Sequence, residues 1–384
     1  MKSAIRLLLI IACITIVNPL SAYVVEGTDA IYLAGRTDIT VPPASEPWFF
    51  LLRHAGPTPE EAMETHPDFV PVIGGSIIQA VAPATGGVDF YNGFGLNYFP
   101  PGGNGVDGSN LWPLDGISGY IGPQGPLAGV FLDDTIPDTG PAPAAMDFTP
   151  GGLGTNFSVL TPALGQVFYI GDGFNSVPEA QHFIAPAGAT RLFLGIPDGF
   201  GFYNEPGAYD DNDGFYEVDL DVSLEVTIDI KFCSDPNAFN CNKKGVLPVT
   251  IFGTADFFVE DIDFSSVQLC TEDLVFCTGA PRDWSFADRG TPSDAGAAQC
   301  ALVEEPAMSG ILVEMDYLNP DTYLDVDVAF EADEVQDMLG AFCSADKGTI
   351  SEPLVITGTT MNGVTLFSVP VPNVGIDQLW KANK

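Results

Sequence analysis

Positive charge is what this chain has least of: 13 Lys and Arg stand against 51 Asp and Glu in 384 residues, a formal net charge of −38. Such an excess repels other polyanions, which argues against nucleic acid and anionic membrane surfaces as partners. Histidine is scarce as well. The three present are His54, His66 and His182, and none belongs to an H-E-x-x-H pattern. A G-x-S-x-G elbow is missing, as is any phosphate-binding glycine loop leading into a helix. His182, in "AQHFIAPAGA", stands at the start of a β-rich segment, where a structural role outweighs a catalytic one. With 51 carboxylates, some pair falls at glycosidase spacing by chance, so no pair is diagnostic. The expectation is a protein that binds or builds, not an enzyme. Past the N-terminal segment no apolar run reaches the roughly eighteen residues that a membrane span needs. Long amphipathic helical patterns are absent too.

The N-terminus itself carries Lys2 and Arg6, the apolar "LLLIIACITIV" and then "NPLSA" ending at Ala22. That order of basic, apolar and small residues reads as a secretory signal peptide over 1–22, and hence as a secreted or cell-surface protein. "IIAC" offers Cys13 as a lipoprotein acceptor, a reading disfavoured because the apolar run continues beyond it. The other cysteines, Cys233, Cys241, Cys270, Cys277, Cys300 and Cys343, all lie in the second half. An even number in an exported chain, with no C-x-x-C pair, favours disulfides over zinc. Six cysteines allow fifteen pairings; the simplest is Cys233 with Cys241, Cys270 with Cys277 and Cys300 with Cys343, the first two being the cheapest loops to close.

Glycine (42) and proline (32) are abundant and punctuate short β-rich segments such as "GQVFYI" (165–170), "TRLFLGI" (190–196) and "VLPVTIF" (246–252). Many short strands between Gly/Pro turns predict an all-β protein of the sandwich or jelly-roll kind. Two short helices are expected, in "TPEEAMETH" (58–66) and in "DEVQDML" from Asp333. "EVDLDVSLEVTIDI" (217–230) alternates polar and apolar residues throughout, the mark of strands with one wet face. Its length suggests the last strand of one domain (23–222) passing near Ser223 into the first of another (223–384). Near the C-terminus, Asn362-Gly363 lies between β-rich runs and predicts a tight hairpin with positive φ at both central residues.

One stretch concentrates the negative charge. "PDGFGFYNEPGAYDDNDG" (197–214) holds Asp198, Glu205, Asp210, Asp211 and Asp213 without a cation. Such a loop is either fully solvated turn chemistry or a site where a hard cation turns repulsion into coordination.

"EPGAYDDNDGFYEVDL" within and beyond it resembles the terminal calcium loop and last strand of the bacterial galactophilic lectins. Further similar segments are "GGVDFYNGFG" (86–95), "GISGYIGPQGPLAGVFLDD" (116–134), "LGQVFYIGDG" (164–173) and "FIAPAGATRLFLGIPDGFG" (183–201). "IYLAGRTDITVPP" (31–43), with "RHAG" at 53–56, looks like a leader subdomain joined to such lectins. The resemblance implies a galactose-binding-like jelly-roll β-sandwich with a bound Ca2+. Its ligands would be the side chains of Asp198, Asp211 and Asn212 and the backbone carbonyls of Tyr98 and Ala208, with Asn204 competing with Asp198. The sugar-contacting segment of the family falls on "WPLD", where Trp112 and Asp115 replace the family's own contact residues. Carbohydrate binding is therefore implied, and galactose specificity is not. Packing is an equally weighted role for Trp112, and Glu205, Asp210 and Asp213 are open to a reading as solvated loop residues even with the ion present. "IDIKFCSDPNAFNCNKKGVLPVTIFGTADFFVEDIDFSSVQL" (228–269) is similar to a β-domain of exported bacterial proteins. That likeness implies a second, disulfide-containing, immunoglobulin-like sandwich, with Cys233 fitted to Cys241. An exported glycan-binding protein is thus expected, and its alternative is a surface or matrix protein in which calcium only stiffens the loop.

Overall fold

The computed structural model describes residues 22–53, 63–92, 98–105, 107–137, 140–232, 239, 244–289, 322–340 and 353–371. Among these residues the protein is an all-β sandwich whose strands form four sheets. In the first half, Phe69–Pro71, Arg191–Gly195, Ala128–Leu132 and Val167–Tyr169 make one sheet. Its apolar face meets a larger sheet, where Phe168 packs on Phe183 with ring centroids 5.3 Å apart. A small third sheet of Tyr203–Asn204, Asp107–Leu111 and Tyr120–Pro123 lies beside the acidic loop. In the second half, Ile228–Ile230, Val246–Ile251, Asp325–Glu331 and Asp283–Ala287 form the fourth sheet. Across from it runs Ile262–Thr271, with Phe264 stacked on Trp284 at 4.6 Å.

The alternation read from the sequence becomes one strand of 14 residues, Asp213–Val226, and a short one, Ile228–Ile230. The break falls at Thr227 and not near Ser223. What changes at Ser223 is the partner: it faces Ile77 on one side and Thr365 on the other. Upstream the strand pairs with Ala22–Glu26, Thr85–Asp89 and Ile77–Ala80, all antiparallel; downstream it pairs in parallel with Thr365–Ser368. The larger sheet therefore runs without interruption through both halves of the chain.

The helix expected from Asp333 is present as Ala332–Met338. Of the one expected over 58–66, Met63 to His66 are not helical and Thr65 bridges to Asp29; the rest lies outside the described residues. The Asn362-Gly363 hairpin forms with positive φ at Gly363 alone (+86°). Its N–H donates to Thr360 O at 3.0 Å, and the Thr360 N–H donates to Val364 O at 2.9 Å. This is a three-residue turn ending in a left-handed glycine, so one positive φ suffices. The disulfide Cys270–Cys277 is present. Cys233, Cys241, Cys300 and Cys343 lie outside the described residues, as do the expected signal segment 1–21, Cys13 and His54.

The leader is not set apart. Ile31, Tyr32 and Leu33 are fully buried in the core, and Leu52 bridges to Gly207 in the acidic loop. Arg53 and Glu64, both buried, form an ion pair at 3.0 Å. The same guanidinium donates to the carbonyls of Pro42, Pro43 and Glu46 and lies over Trp48.

Candidate metal and ligand site

The acidic loop leaves the strand Arg191–Gly195 and returns as Asp213–Val226. Its two ends are tied by Tyr209, a fully buried ring whose hydroxyl donates to Ile196 O (2.6 Å) and accepts from the Asp198 N–H (3.2 Å). Gly207 N–H donates to Asp198 O, and Gly199 bridges to Pro206. Residues 199–206 are thus an excursion closed at its base, which leaves Asp198 and the 207–212 segment side by side. Asn204 is inside the excursion and exposed, with its carbonyl accepting from the Trp112 N–H at 2.6 Å. Of the two candidates for the upstream ligand, Asp198 is the one beside Asn212.

At that base Asp198 is 2% exposed and Asn212 3%. The Asn212 amide nitrogen donates to Gly27 O (2.9 Å) and to Asp198 Oδ2 (3.0 Å). Two acceptors around one nitrogen fix the orientation of the amide, and its Oδ1 is then turned away, buried and without a hydrogen-bond partner. Burial raises the Asp198 carboxyl well above its ordinary range; the Asn212 amide and the Gly199 N–H oppose this, and the Asp211 and Asp210 carboxylates add to it. Two carboxylates therefore bear on a third that is already desolvated, an arrangement that a bound cation would relieve.

The other expected ligands lie on the segments next to this pair in sequence or beside the neighbouring strands. Ala208 is buried in the left-handed region (φ 64°), its N–H held by Leu52 O at 2.6 Å. Asp211 acts electrostatically on Asp198, and its carbonyl accepts from the Asn92 N–H. Tyr98 stands over the start of the long strand: a Cβ added to Gly214 would lie 3.3 Å from its ring, and one added to Gly87 would lie 3.0 Å from its Cβ. No three His, Cys, Asp or Glu side chains among the described residues converge on a point that could hold a metal. A cation here would depend on the mixed set of carboxylates, amide and carbonyls, the oxygen chemistry that calcium accepts. In that sense the residues fit the ion.

Three features were not expected from the sequence. Asp210, read there as solvated, is 1% exposed. It bears on buried Glu64, whose carboxyl is raised by burial and lowered by Arg53. Asp89 is fully buried in the strand opposite, its Cα partner being Asp213. Tyr91, two residues on, has its phenol raised first by burial and then by the Asp198, Asp211 and Asp89 carboxylates, and its N–H donates to Asp89 Oδ1 at 2.9 Å. "GGVDFYNGFG" gave these residues no distinguishing pattern; only the pairing of Thr85–Asp89 with the long strand brings them to the loop.

The sugar-contacting candidates fare differently. Trp112 is 52% exposed and next to the loop through Asn204. Asp115 is instead ion-paired with Arg36, which also holds Asp38 through two 2.9 Å hydrogen bonds. Its carboxylate is engaged with the leader. Neither remaining histidine joins the site: His66 contacts the carbonyls of Leu33 and Ile39, and His182 begins a strand.

No protein-family model matches this chain, and neither a curated protein nor a solved structure matches it. The likeness to galactophilic lectins rests on the segments quoted above.

Proposed function

We propose that the protein is an exported, calcium-dependent carbohydrate-binding protein whose first half carries the site. The observation that supports this most directly is the buried Oδ1 of Asn212, without a hydrogen-bond partner, in an amide whose nitrogen is bonded to the desolvated carboxyl of Asp198. Asp198, Asp211 and Asn212 would hold Ca2+ together with the carbonyls of Tyr98 and Ala208, and the ion would supply coordination to neighbouring sugar hydroxyls. Trp112, half exposed beside the loop, would cover the apolar face of the ring. Adhesion or matrix attachment is the role that such an export product would serve. No helix among the described residues is long and apolar enough to cross a membrane.

The test is a broad glycan panel probed with the full chain in millimolar Ca2+ and again in chelator, alongside thermal melts. Calcium-dependent glycan retention that Asp198→Asn and Asn212→Ala both abolish is the expected result. A calcium-induced melting shift with no glycan retained would favour the alternative, a structural surface protein whose loop is merely stiffened. Indifference of both readouts to calcium would refute the metal site.

A further inference from the structure

We infer that the outer face of the small three-stranded sheet is a second sugar subsite, built by Tyr203 and Asn110 next to Trp112, for a neutral polysaccharide chain. It rests on the calcium reading only for its neighbour: the chain would run from the acidic loop across this face.

The face is set by register. Tyr203 is the Cα partner of Asn110 in a parallel pair, and the pairing continues through the hydrogen bond from the Trp112 N–H to Asn204 O. Strand alternation turns Ser109 and Leu111 inward, at 3% and 2% exposure, and leaves Asn110 and Trp112 outward. The two rings thus share one surface, offset by about 5 Å across the strands and about 7 Å along them, with the Asn110 amide directly opposite Tyr203 and two residues before Trp112. That scale suits successive pyranose rings. Tyr203 and Trp112 are 50% and 52% exposed, and neither ring stacks on another aromatic side chain or a cation among the described residues. Beneath them the excursion is anchored: Phe202 is buried against Phe90 at 5.4 Å and Phe99 at 6.3 Å. The platform is consequently held in place before any ligand arrives, which lowers the entropic cost of binding.

Charge selects the occupant. The protein's net charge of −38 repels uronic or sulfated polymers, whereas a neutral chain meets no such field. The axial and ring hydrogens of a pyranose stack on indole and phenol faces, and the Asn110 amide offers a donor and an acceptor to hydroxyls at the ring edge.

The experiment measures binding of the full chain to neutral gluco-, manno-, galacto- and xylo-oligosaccharides of one to six sugars, in Ca2+ and in chelator. Affinity rising at least tenfold from the monosaccharide to the longer chains of one series is expected. Tyr203→Ala should remove that rise while leaving monosaccharide binding unchanged, and Tyr203→Phe should restore it. Length-dependent binding that persists in chelator and is lost in Tyr203→Ala would keep the subsite and overturn the calcium reading. Calcium-dependent binding whose length dependence survives Tyr203→Ala would do the reverse. Failure to bind any chain under either condition would overturn the subsite.

Discussion

Asn212 does two things with one amide: its nitrogen closes the base of the loop on Gly27 and Asp198, and its oxygen is left over. An ion binding the folded loop and not the unfolded chain stabilises by RT ln(1 + [L]/Kd), about 2.7 kcal/mol at a hundredfold excess. Asn212→Ala should lose that calcium-induced shift in melting temperature, and a wild-type shift retained in the variant would remove Asn212 from the ligand set. A second residue, Asp29, accepts from Thr65 Oγ1 and the Glu26 N–H yet is pushed up to about 6, first by burial. A carboxyl raised in the folded state holds its proton there after the unfolded chain has lost it. Its contribution to stability is therefore full below about pH 4 and is lost as pH rises through about 6. In chelator, the melting temperature of Asp29→Asn relative to wild type should become more favourable between pH 4 and pH 7; a pH-independent difference would contradict this. Glu64 is a third case, because removing it leaves the Arg53 guanidinium buried and unpaired. Glu64→Ala should cost about 3–5 kcal/mol in denaturant unfolding, against under 1 kcal/mol for an exposed pair.

At the scale of elements, turns and staples decide what the strands can do. Gly363 sits at φ +86° with nothing within 4 Å of where a Cβ would stand. The cost of Gly363→Ala is thus conformational alone, about 1–2 kcal/mol, and Gly363→Asn should cost less. Equal losses for Ala and Asn, measured by urea unfolding, would point to a steric cause instead. Cys270 and Cys277 close a seven-residue separation at the end of the strand Ile262–Thr271. A loop that short constrains the unfolded chain modestly, so replacing both cysteines with serine should cost about 2–3 kcal/mol. The excursion 199–206 is the corresponding element in the candidate site: closed at its base by the Gly199–Pro206 bridge, it keeps Asp198 at the core while lifting Tyr203 to the surface.

For the whole molecule, the long strand Asp213–Val226 is the decisive connection. It begins immediately after Asn212, pairs through Ser223 with the first half, and goes on to pair with Thr365–Ser368 near the C-terminus. Two halves of a chain that share a strand should not melt independently, since unfolding either strips partners from the other. Calorimetry of the full chain should give one transition, shifted as a whole by calcium; two resolved transitions, only one of them calcium-sensitive, would show the halves to be uncoupled.

Local chemistry was legible in the chain because it needs only near neighbours. Alternation over 217–230 determined a strand with one buried face, Asn362-Gly363 determined a hairpin, Asp333 marked a helix start, and the charge of 197–214 marked the loop. The tertiary structure decided what depends on distant segments meeting. It buried Asp210, whose charge bears on Glu64, and brought Asp89 and Tyr91 to the loop through strand pairing. It also engaged Asp115 with Arg36, 79 residues away. Composition reports that a carboxylate exists, but its solvation and its partners are set by which strands lie beside it, and that is fixed only when the sheets close.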